Sequence, residues 1–357
     1  MIQFVSPSEY LQGPGVLSRL PAFTARAGAK PVIVVDARVE GVVAPLLAAA
    51  YGSDCTPPSC RIDGEVTREA IAALALALPT GASVVVGVGG GKAIDMAKGA
   101  ACTRELPMIS VPTVASNDAP TSRIFAVYDD DHRMVAVDRM PGNPLAVIVD
   151  TALLVRAPAR MMRAGIGDAI AKTFEADAAW VAGGCNMLGS QPPAIGRAIA
   201  RAAYDVIRKH AVAGIAAMGR GEPDATFEAL VEACVLMSGL GFENGGLSVA
   251  HSVTRGLMQS RHGAGALHGE HVAYGLMVQI VVEGRGDAFA DDLASFLTAV
   301  GLPTSLQAMS GRAASLEDFD GIAKATLAAP HLANFPPNVR QATLMRAMRA
   351  IEQRYAG

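Results

Sequence analysis

VVVGVGGGKAIDMAKGAA, residues 84–101, is the most informative stretch of this chain. A β-branched run, Val84 to Val86, meets Gly87, Gly89, Gly90 and Gly91. Lys92 then opens a helical pattern that contains Asp95 and Lys98. A strand, a bare glycine turn and a helix start bring backbone close to a phosphate, because without Cβ atoms the N–H groups and the helix N-terminus can face an anion. Lys92 would add a positive charge. Two common fingerprints do not fit. For G-x-G-x-x-G, Lys92 stands where the third glycine belongs; for the P-loop, Val86 replaces the first glycine and Ala93 the Ser/Thr. Taken alone, the turn reads either as a phosphate cradle or as a structural turn.

Outward from this stretch, short β-rich runs alternate with helical ones. PVIVVD (31–36), SVVVGV (83–88), PMISVPT (107–113) and LAVIVD (145–150) read as strands, and 40–51, 67–79 and the segment up to about Ala101 as helices. RIFAVYD (123–129) and MVAVD (134–138) read as a hairpin turning through Asp129 to Arg133. Such alternation predicts a mostly parallel sheet with helices on both faces. Past Thr151 the pattern becomes alanine-rich and helical over 167–182, 193–213, 223–240, 246–258, 270–283, 287–300 and 340–353. The expected division is an α/β domain, 1–157, followed by a helical domain, 158–357, with the break near Ala157-Pro158. Ligands in such architectures commonly sit between domains.

Composition narrows the class. The chain has 357 residues, enough for two ordinary domains, and a formal net charge of −3 with no block of like charge, so no nucleic-acid footprint is expected. MIQFVSPSEYLQGPGVL lacks the basic and apolar regions of a signal peptide, and no uncharged apolar run reaches membrane-spanning length. A soluble, cytoplasmic protein with no membrane partner is expected. The five cysteines, at 55, 60, 102, 185 and 234, are odd in number and form no C-x-x-C. They read as reduced and structural, with Cys55 and Cys60 in a loop around Pro57-Pro58.

Histidine carries the next signal. Four of the seven fall within 251–271, and upstream GIGDAIAKTFEA places Asp168 behind a glycine pair at an expected helix start. Asp168, His251 and His268, on three separate helices, could give one carboxylate and two imidazoles to a metal with a fourth position open, the pattern of catalytic zinc. The same histidines could equally be helix caps or polar core partners. His271 shares a face with His268. H-G-E-H is not H-E-x-x-H, so a metalloprotease has no support. VPTVASNDAPTS (111–122), after a strand, reads as an ordinary Asx/ST loop or as a ligand loop at the carboxyl end of the sheet.

GGGKAIDMAK, PTVASNDAPTS, GIGDAIAKTFEA, GFENGGLSVAHSVTRGL and HGEHVAYGLMVQ occur in this order over residues 84 to 283. Together they resemble the glycerol dehydrogenase branch of the iron-containing (group III) alcohol dehydrogenase superfamily. The resemblance implies a dehydroquinate synthase-like fold, with an α/β nucleotide-binding domain and an all-α metal-binding domain. It implies metal ligands at Asp168, His251 and His268, with His271 left out. Pyrophosphate contacts fall on Gly90, Gly91, Lys92 and Asp95, and further nucleotide contacts on Thr113, Ser116, Ser122, Ile124 and Tyr128. Asp36 would meet the adenosine ribose and favour NAD, since a carboxylate repels a 2′-phosphate. Asp118 would contact substrate hydroxyls, and Phe242 would line the substrate site.

Two residues depart from the pattern or extend it. Lys172 stands where iron-using relatives carry a fourth ligand, a histidine; a cation cannot ligate, so zinc is expected ahead of iron. Lys172 could pair with an acidic substrate, or point away as an exposed helix lysine and pair with Glu175 or Asp177. Arg255, one turn past His251, could also meet an anion.

The resemblance implies that zinc takes the substrate hydroxyl as its fourth ligand, lowers its pKa and lets hydride pass to nicotinamide C4; His262 is a candidate exit for the proton. The implied reaction turns a small vicinal diol such as glycerol into the hydroxyketone. A 2-hydroxycarboxylate dehydrogenase of the same fold, a glycerol-1-phosphate dehydrogenase, a non-redox lyase resembling 3-dehydroquinate synthase and a non-catalytic nucleotide-binding protein are the alternatives. The relatives suggest a homo-oligomer, an octamer among the options.

Overall fold

The computed structural model describes residues 1–130, 133–336 and 339–356. Among the described residues, the first half holds eight strands: β1 Glu9–Gly13, β2 Pro31–Asp36, β3 Ser59–Ile62, β4 Val84–Gly89, β5 Met108–Pro112, β6 Ile124–Tyr128, β7 Met134–Arg139 and β8 Ala146–Asp150. Between and after them run helices α1 Leu20–Arg26, α2 Glu40–Tyr51, α3 Arg68–Ala77, α4 Gly91–Thr103 and α5 Thr151–Leu154. The remainder is helical: α6 Ala159–Val181, α7 Ala194–Arg220, α8 Ala225–Glu232, α9 Ser238–Gly245, α10 Val249–Met258, α11 His268–Val282, α12 Asp287–Ala299, α13 Leu306–Ser310, α14 Leu316–Leu327 and α15 Gln341–Tyr355. Five π-helical residues, Ala233–Met237, join α8 to α9.

Six strands form one parallel sheet in the order β1-β8-β5-β4-β2-β3. The central strands β4, β5 and β8 are buried along their whole length, which is why they read as unbroken apolar runs. The two edges escaped the sequence reading. EYLQG of β1 is only partly buried and SCRI of β3 alternates between exposed and partly buried, so neither presents such a run. Cys60 accordingly lies in a strand, not in a loop. From β2 the chain moves outward to β3 and returns to β4 on the other side of β2, so the order switches between β2 and β4. In open α/β sheets ligands gather at the carboxyl ends of strands at such a point. β6 and β7 form the expected antiparallel hairpin; of its turn, residues 131 and 132, including His132, lie outside the described residues.

By contact density the chain separates into two compact units. One comprises Ser6–Pro158 with Ala216–Leu236, the other Met1–Val5, Ala159–Ile215 and Met237–Gly357. A single cut at residue 157 does not provide for the two exchanged segments. The first is explained by α8. Glu228 accepts from Gln12 Nε2 on β1 at 2.6 Å and from Thr151 Oγ1 at 2.5 Å, and Thr121 Oγ1 donates to the Val235 carbonyl at 2.7 Å. The second is explained by Asn244, whose amide bonds the Val5 backbone twice, at 2.8 and 2.9 Å.

Ala225–Gly245 is apolar and long enough to span a membrane, a run the sequence reading did not expect. Over half of it is buried inside the fold, and it carries Glu228, Glu232 and Glu243, so it is a core helix. α13 and α14 were also not anticipated. α6 begins nine residues before Asp168, which puts that residue inside the helix instead of at its start.

Glycines set the spacing of the helical unit. A Cβ on Gly167 (α6) would meet the Gly269 carbonyl oxygen (α11) at 2.2 Å. One on Gly269 would meet the Ala164 oxygen (α6) at 1.7 Å, and one on Gly275 (α11) the Ala250 oxygen (α10) at 2.2 Å. Backbone therefore touches backbone where α11 crosses α6 and α10.

Candidate active site

Gly89 ends β4 at φ +152°, a conformation that favours glycine, and a Cβ there would meet Ala93 Cβ at 2.6 Å and Asp36 Cβ at 3.0 Å. Gly90 stands at the N-cap position before α4 and, having no side chain, leaves this helix uncapped. Its first N–H groups thus point at the space beyond the sheet, where a phosphate is favoured. The loop after β5 closes over the same place: Asn117 Nδ2 would lie 2.6 Å from a Cβ on Gly91. Lys98, fully buried, holds that loop by donating to the Ala119 and Ile124 carbonyls at 2.6 Å each.

The expected nucleotide residues distribute as follows. Asp36 ends β2 beside the turn, but both its oxygens are engaged by Arg38, whose Nε and terminal nitrogen donate at 3.0 and 2.7 Å. This pairing, which the sequence reading missed, holds the Asp36 carboxyl below its ordinary pKa despite burial. Lys92 is committed to Glu65, 2.7 Å away. Asp95 accepts from the Ala126 N–H at 3.1 Å, and its other oxygen lies 3.6 Å from the Lys98 ammonium. Thr113 Oγ1 is buried without a hydrogen-bond partner. A buried, unpartnered hydroxyl at Thr113 and the free N–H groups of an uncapped helix fit a polar, phosphorylated ligand, which is the chemistry of NAD. Ser116 is half-buried in the loop; Ser122 is buried; Ile124 and Tyr128 bracket β6. The Tyr128 hydroxyl is pushed well up by burial, with Asp95 and Glu65 adding to it. Asp118, buried in the same loop, is close enough to Asp95 to raise its pKa.

In the helical unit, α6, α10 and α11 bring together Asp168, His251 and His268, with one ligand atom from each within 4.8 Å of the others. His251 Nε2 lies 3.2 Å and His268 Nε2 3.7 Å from Asp168 Oδ1. Asp168 Oδ2 is buried without a hydrogen-bond partner. One carboxylate and two imidazoles converging around an orphaned oxygen fit a divalent metal. His268 keeps 46% of its side chain open, so the ligand set is reachable from outside.

Behind the ligands stands a group that was expected only as a partner for an outward-pointing Lys172. Glu175 is fully buried; its Oε2 lies 2.6 Å from His251 Nδ1, and its Oε1 accepts from the backbone N–H groups of Ser248 and His251 at 2.8 and 2.9 Å. It therefore caps α10 and fixes the His251 tautomer with a proton on Nδ1, leaving the Nε2 lone pair for a ligand bond. Burial would raise the Glu175 carboxyl, but His251 and Lys172 hold it low. Burial would also raise Asp168; Lys172, then His251 and His268, hold it far below the usual carboxylate range.

Lys172 is not a solvated helix lysine. It is 1% exposed, with Nζ 2.5 Å from Asp168 Oδ1, 3.1 Å from His251 Nε2 and 5.5 Å from the centre of the Phe242 ring on α9. Asp168, Lys172 and Glu175 recur at i, i+4 and i+7, a charged stripe along one face of α6 that was legible in the sequence. His331, in the turn Pro330–Asn334, was not anticipated; burial, then the charge of His251, pulls its imidazole down to about 4. Two other expected residues stand apart from the triad. Arg255 is exposed and donates to the Ala328 carbonyl at 3.4 Å. His262 is buried between Ser310 Oγ, 2.8 Å away, and Asp318, 3.3 Å away, so it belongs to the packing of α13 and α14. His271 bonds the Gly263 carbonyl at 3.0 Å and is outside the ligand set.

A family model described as iron-containing alcohol dehydrogenase matches residues 11–158. Glycolaldehyde reductase of Halobacterium salinarum is 37% identical, covering 90% of this chain and 89% of its own. Glycerol dehydrogenase 1 of Schizosaccharomyces pombe is 35% identical, covering 91% of this chain and 73% of its own. The crystal structure of glycerol dehydrogenase from Schizosaccharomyces pombe superposes with a TM-score of 0.93 at 33% identity, covering 100% of this chain and 91% of that one.

Proposed function

The chain belongs to the glycerol dehydrogenase branch of the iron-containing alcohol dehydrogenase family, as an NAD-dependent, metal-containing alcohol or polyol dehydrogenase, and from this we propose that it oxidises a small vicinal diol such as glycerol in the cytoplasm, with zinc as its metal. The proposed balance is glycerol plus NAD⁺ giving dihydroxyacetone, NADH and a proton. The observation that carries this reading is the Asp168–His251–His268 cluster with its orphaned carboxylate oxygen. Among the described residues no fourth protein ligand joins the three, and Lys172 stands in that place, which supports zinc over iron. Five free cysteines suit a reducing compartment.

A divalent metal bound there supplies Lewis-acid stabilisation to an oxygen that gives up its proton. The chain's own residues do the rest. Glu175 holds His251 in a fixed position through Nδ1 and the backbone N–H, and its carboxylate raises the basicity of the ring. The uncapped N-terminus of α4 and Thr113 Oγ1 receive the pyrophosphate and its neighbourhood, and Asp36 the adenosine ribose. Asp118 is the carboxylate proposed for a second substrate hydroxyl.

Reduction of a 2-hydroxyaldehyde is the second reading, favoured by the 37% identity to a glycolaldehyde reductase. Zinc-analysed protein assayed for NADH with glycerol, 1,2-propanediol, dihydroxyacetone, glycolaldehyde, 2-oxobutyrate and 2-oxoglutarate separates the cases. Turnover of diols and dihydroxyacetone is the expected result. Turnover of glycolaldehyde alone selects the second reading, and turnover confined to oxo acids overturns both.

A further inference from the structure

The ammonium of Lys172 stands where the ligands of the metal converge. It touches Asp168 Oδ1 at 2.5 Å and His251 Nε2 at 3.1 Å, two atoms that are themselves only 3.2 Å apart. Glu175 occupies His251 Nδ1, so Nε2 has a single lone pair to offer. An ammonium has donors only, so with the ring neutral and its proton on Nδ1 the contact with Nε2 uses that lone pair. A zinc ion bonded to the same nitrogen at about 2.0–2.1 Å needs the same lone pair. The two cations cannot hold His251 together. Nor is Lys172 placed there by chance packing: it is one turn from Asp168 on α6, fully buried, and faces two buried carboxylates, Asp168 and Glu175, that need compensating charge.

We propose that Lys172 is a resident cation that competes with the metal. In the metal-free protein it ties Asp168 to His251 and keeps the ligand set assembled; when the site is loaded, it leaves His251 Nε2. The metal is bound less tightly than the triad alone would bind it, and the metal-free protein is more stable than it would be without the lysine. Once displaced, the lysine and the dication bring three positive charges against two carboxylates, a balance that suits an oxygen developing negative charge.

This inference rests on the triad being a metal site, and the test separates the two. Full-length protein stripped with a chelator would be titrated with Zn²⁺ against a chromophoric competitor, as wild type, Lys172→Met and the ligand-deficient His268→Ala. Thermal midpoints of the stripped forms would be measured alongside. Lys172→Met should bind Zn²⁺ at least about ten-fold more tightly, melt lower when stripped, and gain more from zinc than wild type does. Lys172→Gln, which keeps a polar stem, serves where Lys172→Met does not fold and should shift affinity in the same direction. Zinc affinity that is unchanged or weaker in a folded Lys172 variant overturns the competition while leaving the metal site standing. Equal binding by wild type and His268→Ala, or none by wild type, overturns the metal site and the inference with it. A zinc-loaded wild-type crystal gives a check that needs no variant: Nζ still within about 3.2 Å of His251 Nε2 would sink the proposal.

Discussion

Asp95 shows how one buried group works against the usual pH behaviour of a carboxylate. Burial pushes it up to about 6, against the opposing pull of Lys98 and the Ala126 N–H. Its folded pKa thus lies above the unfolded value. Between roughly pH 4 and 6 the folded state keeps a proton that the unfolded state has released, so this group's contribution to stability is full below that window and lost above it. In Asp95→Asn the titration is gone. Whatever the baseline cost of the amide, the stability difference should move in the variant's favour by about 1.4 kcal/mol between pH 5 and pH 8. Urea unfolding of both proteins at the two pH values reads this directly, and a constant difference would refute it. Glu175 offers a second residue-level test. Glu175→Gln weakens its hold on His251 Nδ1, and zinc affinity should drop ten- to a hundred-fold with the helical content intact. Affinity within two-fold of wild type would mean that Glu175 only caps α10.

At the level of elements, the legible parts were those that announce themselves by local pattern. β2, β4, β5 and β8 are central strands, and burial on both faces forces continuous apolar runs. β1 and β3, as sheet edges, obey no such demand and stayed invisible. The start of α6 was misplaced because Ala159 to Ile166 lack a capping signal strong enough to compete with the glycines before Asp168. The three ligand positions could be named, but nothing in their spacing says that α6, α10 and α11 touch; that follows from the close approach at Gly167, Gly269 and Gly275. These glycines should accordingly be sensitive far beyond their size. In Gly275→Ala the new methyl meets the Ala250 oxygen, next to His251, and backbone cannot swing aside as a side chain can. Overpacking of this kind costs about 1–3 kcal/mol. The melting temperature should fall, and zinc affinity with it, because α10 carries His251. Gly142→Ala, with open space around it, is the control and should change neither. A fall in melting temperature with zinc affinity unmoved would show that the α10–α11 spacing does not set the site.

For the molecule as a whole, each proposed binding site draws its residues from one compact unit. Asp168, Lys172, Glu175, His251, His268 and His331 all belong to the helical unit, while Asp36, the 87–95 turn, Thr113 and Tyr128 belong to the α/β unit. The mixed origin of the units, with 216–236 returning to the sheet, was beyond sequence reading because it depends on the long-range contacts of Glu228 and Val235. Ligands that bind only the folded form protect the openings that would destroy their own site, by about 2.7 kcal/mol at a hundred times the dissociation constant. Because stability is distributed over cooperative segments, that protection is local unless the opening is global. Zinc should therefore slow amide hydrogen exchange in α6, α10 and the first turns of α11. NAD⁺ without zinc should slow it around 87–95 and in the 113–124 loop, by up to about a hundred-fold in each case. Hydrogen exchange followed by mass spectrometry on the full chain, with each ligand alone and with both, resolves these segments. Zinc protection confined to the α/β unit would refute the triad as the metal site. NAD⁺ protection that spares the glycine turn would return residues 84–101 to a purely structural role.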